Sequence, residues 1–528
     1  MCLPSLKRHN LGSEFKRVLA MAKLLALVAG ARAAHHHLNP TMPYTITNEA
    51  PGHEGESREF SGAAYFDVDS PVLTMRYSEV AWRTLPAVPL PADVVAKYAN
   101  ATIAVTGFEV DVLRDLGNGE TESVAAYDSY NHHYGVQLLS SAVRLSYDAA
   151  GAATGTFYGH TKVLDMEVAE GAAPPGARLA QSFVHGNGQE HRQMFHGAPP
   201  GYAQRLWSPA TFVVTPMQIS TNDGDGDPGQ GLLPAIKRPG GATPAPPSYA
   251  YSPLLECPCT TRNKINATAG TIDGHAFDGD CDRAEPLSDL NATKNPTCEA
   301  ATYVGGLSCC ADGAFLLDAD QEPPAFEDRV FFRFRFYYDD WDDDKYADIE
   351  HVEWAANGCD SGCSGGGCAN ACGHIEFDVV QGVGSDEGDD VQIFQSTFPA
   401  GEMLASSCKP TDCQCMGADT VGESGFALVM AASHCHAPNC IRQVLKNLDS
   451  GEILCDGKTR VGSSEKVFDE AGYLFTPPCL WGAAADGLLA PPVLKKDTTL
   501  QMLTYFNSTY AHPGQMGIWQ MKAAVVSA

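Results

Sequence analysis

The segment Phe331-Phe-Arg-Phe-Arg-Phe-Tyr-Tyr338 alternates aromatic and basic residues at its centre. Successive side chains of a strand point to opposite faces of a sheet, so this alternation predicts a β-strand. The segments Thr102–Leu113 and Thr211–Ile219 have β-branched and apolar residues of the same kind, and turn residues such as Asp115–Gly119 interrupt them. The sequence shows no long helical periodicity. We therefore predict an all-β protein made of two antiparallel β-sandwich (jelly-roll-like) domains.

Chain length and composition suggest where these domains begin and end. The 528 residues are too many for one ordinary domain. We expect an N-terminal β-sandwich over residues 40–220, a Gly/Pro/Asp-rich linker over 221–252, a Cys-rich connecting segment over 253–325 and a C-terminal β-sandwich over 326–525. All 18 cysteines except Cys2 fall between Cys257 and Cys479, so we expect the second domain to be the disulfide-rich one.

The N-terminus predicts export. Basic residues precede an apolar run that ends at the small-x-small pattern Ala31-Arg32-Ala33, which is typical of a signal peptide over residues 1–34. Met21 is an alternative start for a shorter signal. Four Asn-x-Ser/Thr sequons and the cysteine density agree with a secreted or extracellular glycoprotein. A location at the cell wall or cell surface is the alternative to a freely secreted protein. Loss of Cys2 with the signal leaves 18 − 1 = 17 cysteines, so one is free, metal-bound or paired between chains.

The charge of the chain excludes some partners. A net charge of −29 and the lack of a basic cluster after residue 40 argue against nucleic-acid binding. No later apolar run is long enough for a membrane span. Two acidic segments, Asp223–Asp227 and Asp339–Asp344, are read as solvated turns, with calcium binding as the alternative. No GxSxG elbow, phosphate-binding loop or HExxH motif is present, so hydrolase functions are disfavoured.

Two histidine pairs indicate transition-metal chemistry. Ser433-His-Cys-His436 follows the apolar run Phe426–Met430, and residues two apart in a strand share a face, so His434 and His436 can bind one ion. A second pair, His132-His133, lies in a strand-like run. Met516 offers a thioether later in the chain. The alternative is that these histidines serve structure alone.

The cysteines leave two further alternatives open. Cys359-x3-Cys363 and Cys368-x3-Cys372 have spacings that suit either zinc or disulfides, and the exported context favours disulfides. Cys435, between the two histidines of the second pair, is either a thiolate ligand or the disulfide partner of Cys440.

The chain resembles the stress up-regulated Nod-nineteen family of plants and related lineages, for which we carry over no activity. The resemblance rests on short motifs in a fixed order between residues of about 100 and 525. These motifs are Tyr130-x-His-His133, Gly305-Gly-Leu-x-Cys-Cys310, Phe336-Tyr-Tyr-Asp-Asp-Trp-Asp342, His351 with Glu376-Phe-Asp-Val379, Ala432-x-His-x-His436, Asp469-Glu-Ala-Gly-Tyr473, Cys479 and His512-Pro-Gly-Gln-Met-Gly517.

More distantly, the layout is similar to that of the exported copper monooxygenases that hydroxylate peptidylglycine or dopamine. That resemblance implies two β-sandwiches facing a cleft and two copper sites. The first site would use His132 and His133, and the second would use His434, His436 and Met516. Met217 stands near the position of the family's third histidine in the first site, where a thioether would favour Cu(I). The alternative third ligands are His185, His191 and His196.

Three classes of function remain open from the sequence. The first is a secreted copper-dependent monooxygenase that activates oxygen at the second site and stores an electron at the first. The second is a copper-binding protein without turnover, for storage or stress protection. The third is a metal-free structural glycoprotein of the extracellular space. The substrate, the catalytic residues and the oligomeric state are not indicated by the sequence.

Overall fold

A computed structural model of the protein describes residues 44–54, 56, 64–124, 129–158, 161–183, 196–222, 271–272, 275–276, 312–317, 322–355, 377–379, 382–403, 424–436, 439–461, 474–509 and 512–526. The expected signal peptide, nearly all of the expected linker, the cysteines of the connecting segment and of the tract Cys359–Cys372, and two of the alternative ligands, His185 and His191, lie outside these residues.

In its described residues, the first half of the chain is built of strands and one short helix. These elements are β1 (Ala64–Asp69), β2 (Leu73–Arg76), β3 (Val80–Trp82), β4 (Val88–Pro89), α1 (Ala92–Lys97), β5 (Thr102–Gly117), β6 (Glu120–Ser123), β7 (Ser129–Ser140), β8 (Val143–Leu145), β9 (Gly155–Tyr158), β10 (Thr161–Leu164), β11 (Met166–Val168), β12 (Ala180–Ser182), β13 (His196–Gly197), β14 (Tyr202–Trp207) and β15 (Pro209–Ser220).

The second half has the same character, and the part of it that the structure describes has two short 3₁₀ helices, at Ala400–Met403 and Ala484–Asp486. Its strands are β16 (Thr271–Ile272), β17 (His275–Ala276), β18 (Glu327–Asp340), β19 (Ala347–Ala355), β20 (Phe377–Val379), β21 (Val391–Pro399), β22 (Phe426–Cys435), β23 (Cys440–Asn447), β24 (Ile453–Lys458), β25 (Arg460–Val461), β26 (Leu474–Phe475), β27 (Cys479–Leu480), β28 (Val493–Leu494), β29 (Thr499–Asn507), β30 (His512–Gln515) and β31 (Gly517–Val525).

One large sheet runs through both halves of the molecule, in the strand order β1-β18-β5-β14-β19-β31-β22-β27. A sheet ordered β12-β7-β15-β3 covers its first part, and a sheet ordered β21-β29-β23-β24 belongs to the second half. Phe334, Phe212 and Val136 lie in the apolar core of the first half. Trp519 and Phe506 lie in a separate core in the second half. The prediction of an all-β fold of antiparallel, sandwich-like architecture is confirmed.

Strand β18, which contains the alternating segment Phe331–Tyr338, lies in the first sandwich. The sequence predicts that residues 326–525 form the C-terminal sandwich, yet β18 pairs with β5 and β1 over most of its length. Its side chains Phe332, Phe334 and Phe336 are fully buried in the core of the first half. Alternation identified the strand, but it carries no information about which distant strand would be its partner.

The two halves are joined by a parallel strand pair. In β14, Tyr202 lies opposite Ala347 of β19, and Ala203 lies opposite Asp348. Ion pairs cross the same boundary. Arg205 Nε lies 2.8 Å from Asp348 Oδ2 and Arg178 Nε lies 3.2 Å from it. Arg178 also pairs with the buried Glu350. These contacts hold β19 of the second half in register with β14 of the first half.

The segment that begins at Tyr44 also contacts both halves. Tyr44 and Ile46 pack with Met430 in a small apolar cluster of the second half. The Tyr44 hydroxyl donates a 2.6 Å hydrogen bond to Glu109 of β5, and Tyr337 of β18 donates another of the same length. Burial raises the pKa of the Glu109 carboxyl. The segment therefore ties the two sandwiches together through a buried carboxyl.

Two disulfides lie in the described part of the second half. They join Cys435 to Cys440 and Cys455 to Cys479. All four residues are buried in the core of that half, where the two bonds join β22 to β23 and β24 to β27. Among the described residues, no helix is both long enough and apolar enough to cross a membrane.

Candidate functional site

The two histidine pairs predicted from sequence lie in strands of different sandwiches. His434 belongs to β22, and His436 follows the last residue of that strand. Cys435, between them, has its side chain in the apolar core of the second half. Because side chains alternate along a strand, His434 and His436 project from the opposite face of the sheet.

The first pair lies in β7, where the strand pairing is irregular. Met217 of β15 faces His133, and the next residue, Gln218, faces Asn131, so His132 is an extra residue in the ladder. Such a bulge re-aims side chains that would otherwise alternate. The ring centroids of the neighbouring His132 and His133 lie 5.5 Å apart. The bulge accounts for the closeness of two residues that regular alternation would place on opposite faces.

The two pairs meet in one group, which we call the histidine cluster (His132, His133, His434 and His436). The ring of His132 lies 4.4 Å from that of His436 and 6.2 Å from that of His434, measured between centroids. The His434 and His436 rings are 5.3 Å apart. At most 2% of any of these four residues is exposed. The cluster is a buried polar site contributed by both sandwiches.

Aromatic residues line the side of the cluster that belongs to the first sandwich. The Tyr130 hydroxyl lies 3.3 Å from Nδ1 of His132, within the same strand. This contact occupies Nδ1 and makes Nε2 the His132 nitrogen that is suited to metal coordination. The indole of Trp82 meets the His133 ring edge-on at 5.4 Å. Tyr130 is not among the site residues predicted from the sequence, although its position two residues before His132 was the available signal.

Both predicted methionine ligands are buried beside the cluster. Met217 lies directly opposite His133 in the ladder between β15 and β7. Cys435 of β22 lies opposite Gly517 of β31, and Met516 is the residue before Gly517. Continuing that register by one residue places Met516 next to His436. Each histidine pair therefore has a thioether as its neighbour on an adjoining strand.

We tested whether these residues fit a copper ion. Metal–nitrogen bonds of about 2.0–2.1 Å in a tetrahedral arrangement place the centroids of ligating imidazoles roughly 5 Å apart. The three separations among His132, His434 and His436, from 4.4 to 6.2 Å, bracket that value. Within the described residues, no group of three or more His, Cys, Asp or Glu side chains is already arranged to hold a metal ion. The donor set fits copper in its chemistry and spacing, and its rings would have to turn to converge on one ion.

The structure distinguishes the two alternatives for Cys435. It also shows the surroundings of His196, one of the candidate third ligands. Cys435 is disulfide-bonded to Cys440, so it is not a thiolate ligand. His196 stacks on Phe108 at 4.7 Å between ring centroids. Burial, together with the nearby charge of Lys522, lowers the pKa of His196 to about 3. This histidine packs as a neutral aromatic ring on β5.

The acidic turn Asp339–Asp344 is held by protein contacts. Asp339 forms an ion pair with Lys345, and Asp340 forms one of 2.8 Å with Lys97. These lysines lower the pKa of both carboxyls. The arrangement agrees with the reading of the segment as a solvated turn. The other acidic segment, Asp223–Asp227, lies outside the described residues.

No protein-family model and no curated protein matches the chain. Among solved structures, the cryo-EM structure of the T=3 Penaeus vannamei nodavirus aligns over 93% of this chain and 98% of that chain, with 9% sequence identity and a TM-score of 0.13. A likeness at this level carries no argument about fold or function, so the site must be interpreted from its own residues.

Proposed function

We propose that the protein binds copper at the histidine cluster, with His132, His434 and His436 as imidazole ligands and Met516 as the neighbouring thioether. The observation that carries this proposal is the approach of three buried imidazole rings from two sandwiches to within 4.4–6.2 Å of one another. Imidazole suits both oxidation states of copper, and a thioether favours Cu(I). Bound copper would supply a one-electron redox couple in a buried setting.

The protein's own residues would orient the ligands. Tyr130 fixes the ring of His132 through Nδ1, which is the kind of outer contact that sets the orientation of a ligating histidine. The disulfide at Cys435 fixes the backbone between His434 and His436. His133 and Met217 stand beside this set and are the residues available for a second copper, as the resemblance to two-copper monooxygenases implies.

Copper stoichiometry of the purified, secreted protein is the deciding measurement. We expect one tightly bound copper per chain, with nitrogen hyperfine structure in the spectrum of the Cu(II) form. We expect the His434→Ala, His436→Ala double variant to lose it. The exposed His53, which pairs with Glu56, gives the control variant His53→Ala, which should retain copper. Two coppers per chain would show that His133 and Met217 form a second site. If the purified protein contained no copper and took none up, the remaining class of function would be the metal-free structural glycoprotein.

A copper-dependent monooxygenase is the second candidate. It is favoured by the order of the pairs, since His132-His133 comes from the first sandwich and His434, His436 and Met516 come from the second. The test is oxygen consumption driven by ascorbate in the copper-loaded protein. A rate equal to that of the His434→Ala, His436→Ala variant would exclude turnover at this site and leave copper binding without catalysis.

We also propose that the protein is a secreted glycoprotein. Its two described disulfides are compatible with an oxidising compartment. Two of the four sequons lie in the described residues, and their acceptors Asn100 and Asn507 are both exposed. Enzymatic deglycosylation of the secreted chain should lower its mass. An unchanged mass would show that these sequons are unused.

A further inference from the structure

A second buried polar group lies where the two halves meet, apart from the histidine cluster. Lys522 of β31 is directly opposite His351 of β19, and two positions along the ladder, on the same face of the sheet, Gln520 is opposite Glu353. The first sandwich contributes the ring of Phe183, whose centroid lies 5.9 Å from Lys522 Nζ. An amine, an imidazole and a carboxylate therefore share one buried position beside an aromatic ring.

The amine of Lys522 has unusual surroundings. The residue as a whole is half-buried, but its Nζ atom is inaccessible to solvent and makes no hydrogen bond to any of the described residues. Burial lowers the pKa of this amine to about 7, although the charge of Glu353 acts in the opposite direction. At neutral pH, much of the amine is therefore uncharged and carries a lone pair.

His351 and Glu353 form an acid–base pair close to this amine. His351 Nε2 lies 2.6 Å from Glu353 Oε1, and both side chains are buried. Burial lowers the pKa of His351, so the imidazole is neutral and its Nε2–H donates to the carboxylate. His196 is a further titratable group near Lys522, and burial keeps it neutral as well.

We propose that Lys522 is a carbonyl-reactive lysine whose amine forms an imine with a small aldehyde, while the His351–Glu353 pair transfers the proton. The nitrogen lone pair attacks the carbonyl carbon and forms a C–N bond, and the oxygen becomes a hydroxyl by taking a proton from the nitrogen. The nitrogen then forms the C=N bond, and the hydroxyl leaves as water with the remaining amine proton. No oxidant or reductant is needed for this condensation.

The surroundings of Nζ indicate the polarity of the carbonyl compound. An apolar, aliphatic aldehyde suits an amine that is buried beside an aromatic ring. The ring of Phe183 offers an apolar surface beside the new C=N bond. Copper takes no part in this chemistry, so the proposal does not depend on the function proposed for the histidine cluster.

The test is reductive trapping on the full chain with propionaldehyde and cyanoborohydride, followed by peptide mapping of each labelled lysine. At pH 7 an amine with a pKa of about 7 is about half neutral, whereas an ordinary lysine is neutral in roughly one molecule in 2,500. We expect Lys522 to be labelled at least about tenfold faster than any other lysine. Between pH 6 and 8 its labelling should rise about tenfold, against about 100-fold for ordinary lysines.

Variants separate this reactivity from general labelling. Lys522→Arg should remove the fast label. Glu353→Gln should slow labelling at pH 8, where most of the Lys522 amine is neutral with or without the Glu353 charge. The matched control Lys345→Arg, at an exposed lysine paired with Asp339, should leave fast labelling unchanged. The mapping of the unaltered protein decides the question even if a variant does not fold. Labelling that increases with the exposure of each lysine and does not occur at Lys522 would overturn the proposal.

Discussion

The imidazole rings of His132 and His436 lie 4.4 Å apart and are inclined at 72° to each other, although one belongs to each half of the chain. The resemblance to two-copper enzymes implied that these residues serve different sites across a cleft. The observed distance makes them neighbours within one buried cluster. Substitution of one should therefore affect any metal held by the other.

His132→Ala should weaken copper binding by at least about tenfold, because it removes an imidazole that lies within reach of the His434–His436 pair. The measurement is copper affinity by competition with a chelator of known strength. His53→Ala is the matched control, since this histidine is exposed and pairs with Glu56. If His132 served a separate site, the affinity of the His434–His436 pair would be unchanged in the variant.

Tyr130→Phe should lower copper affinity by roughly tenfold, since it removes the hydroxyl that contacts His132 Nδ1 at 3.3 Å and leaves the buried ring in place. Competition titration and the nitrogen hyperfine pattern of the Cu(II) protein would measure the change. Tyr147→Phe, at an exposed tyrosine, is the control and should bind as the unaltered protein does. An unchanged affinity in the Tyr130 variant would mean that Tyr130 does not orient the ligand.

Arg178→Ala should destabilise the junction of the two halves. The arginine pairs with Asp348 at 3.2 Å and with Glu350, and its loss would leave the Glu350 carboxylate buried with one counter-ion fewer. We expect a loss of roughly 3 kcal/mol in the free energy of unfolding, measured with urea. The control Arg329→Ala removes an exposed pair with Asp115 and should cost much less, because solvent screens that pair. Equal effects would show that the junction pair adds nothing beyond a surface pair.

The stability of the protein should fall as the pH drops below about 6.5, in part because of His196. Its folded pKa of about 3 lies below the ordinary value of 6.5, so the unfolded chain takes up the proton first and acid favours unfolding. Between these values the cost is up to about 1.4 kcal/mol per pH unit. His351 adds to the slope in the same direction.

The variant His196→Gln cannot take up that proton, so its stability should depend less steeply on pH between about 6.5 and 4. Urea unfolding at several pH values would measure the two slopes. His53→Gln removes an exposed histidine and should keep the slope of the unaltered protein. An identical slope in the His196 variant would show that this residue is not buried in its neutral form.

Most of the strands could be predicted from local patterns, because alternation and turn residues act over a few neighbouring positions. Thr211–Ile219 was predicted as a strand, and β15 covers Pro209–Ser220. The pairing of β18 with β5 could not be predicted, since its aromatic face would fit either sandwich. The β-bulge at His132 could not be predicted either, because the pattern of apolar and polar residues does not show where a bulge lies. The convergence of His132 with His436 depends on both features of tertiary structure, so the sequence identified the histidines without their distances.

The disulfide between Cys435 and Cys440 has a consequence for the order in which the protein matures. A reduced chain would present the Cys435 thiol within the His434-Cys435-His436 segment, and thiolates bind Cu(I) more strongly than imidazoles do. Copper that arrived before oxidation would therefore be captured by sulfur. Once the bond has formed, the sulfur lies in the apolar core and the histidines remain as the donors. For the proposed copper site, oxidation would therefore have to come before metal loading, and the timing of copper delivery would become part of how the site is made.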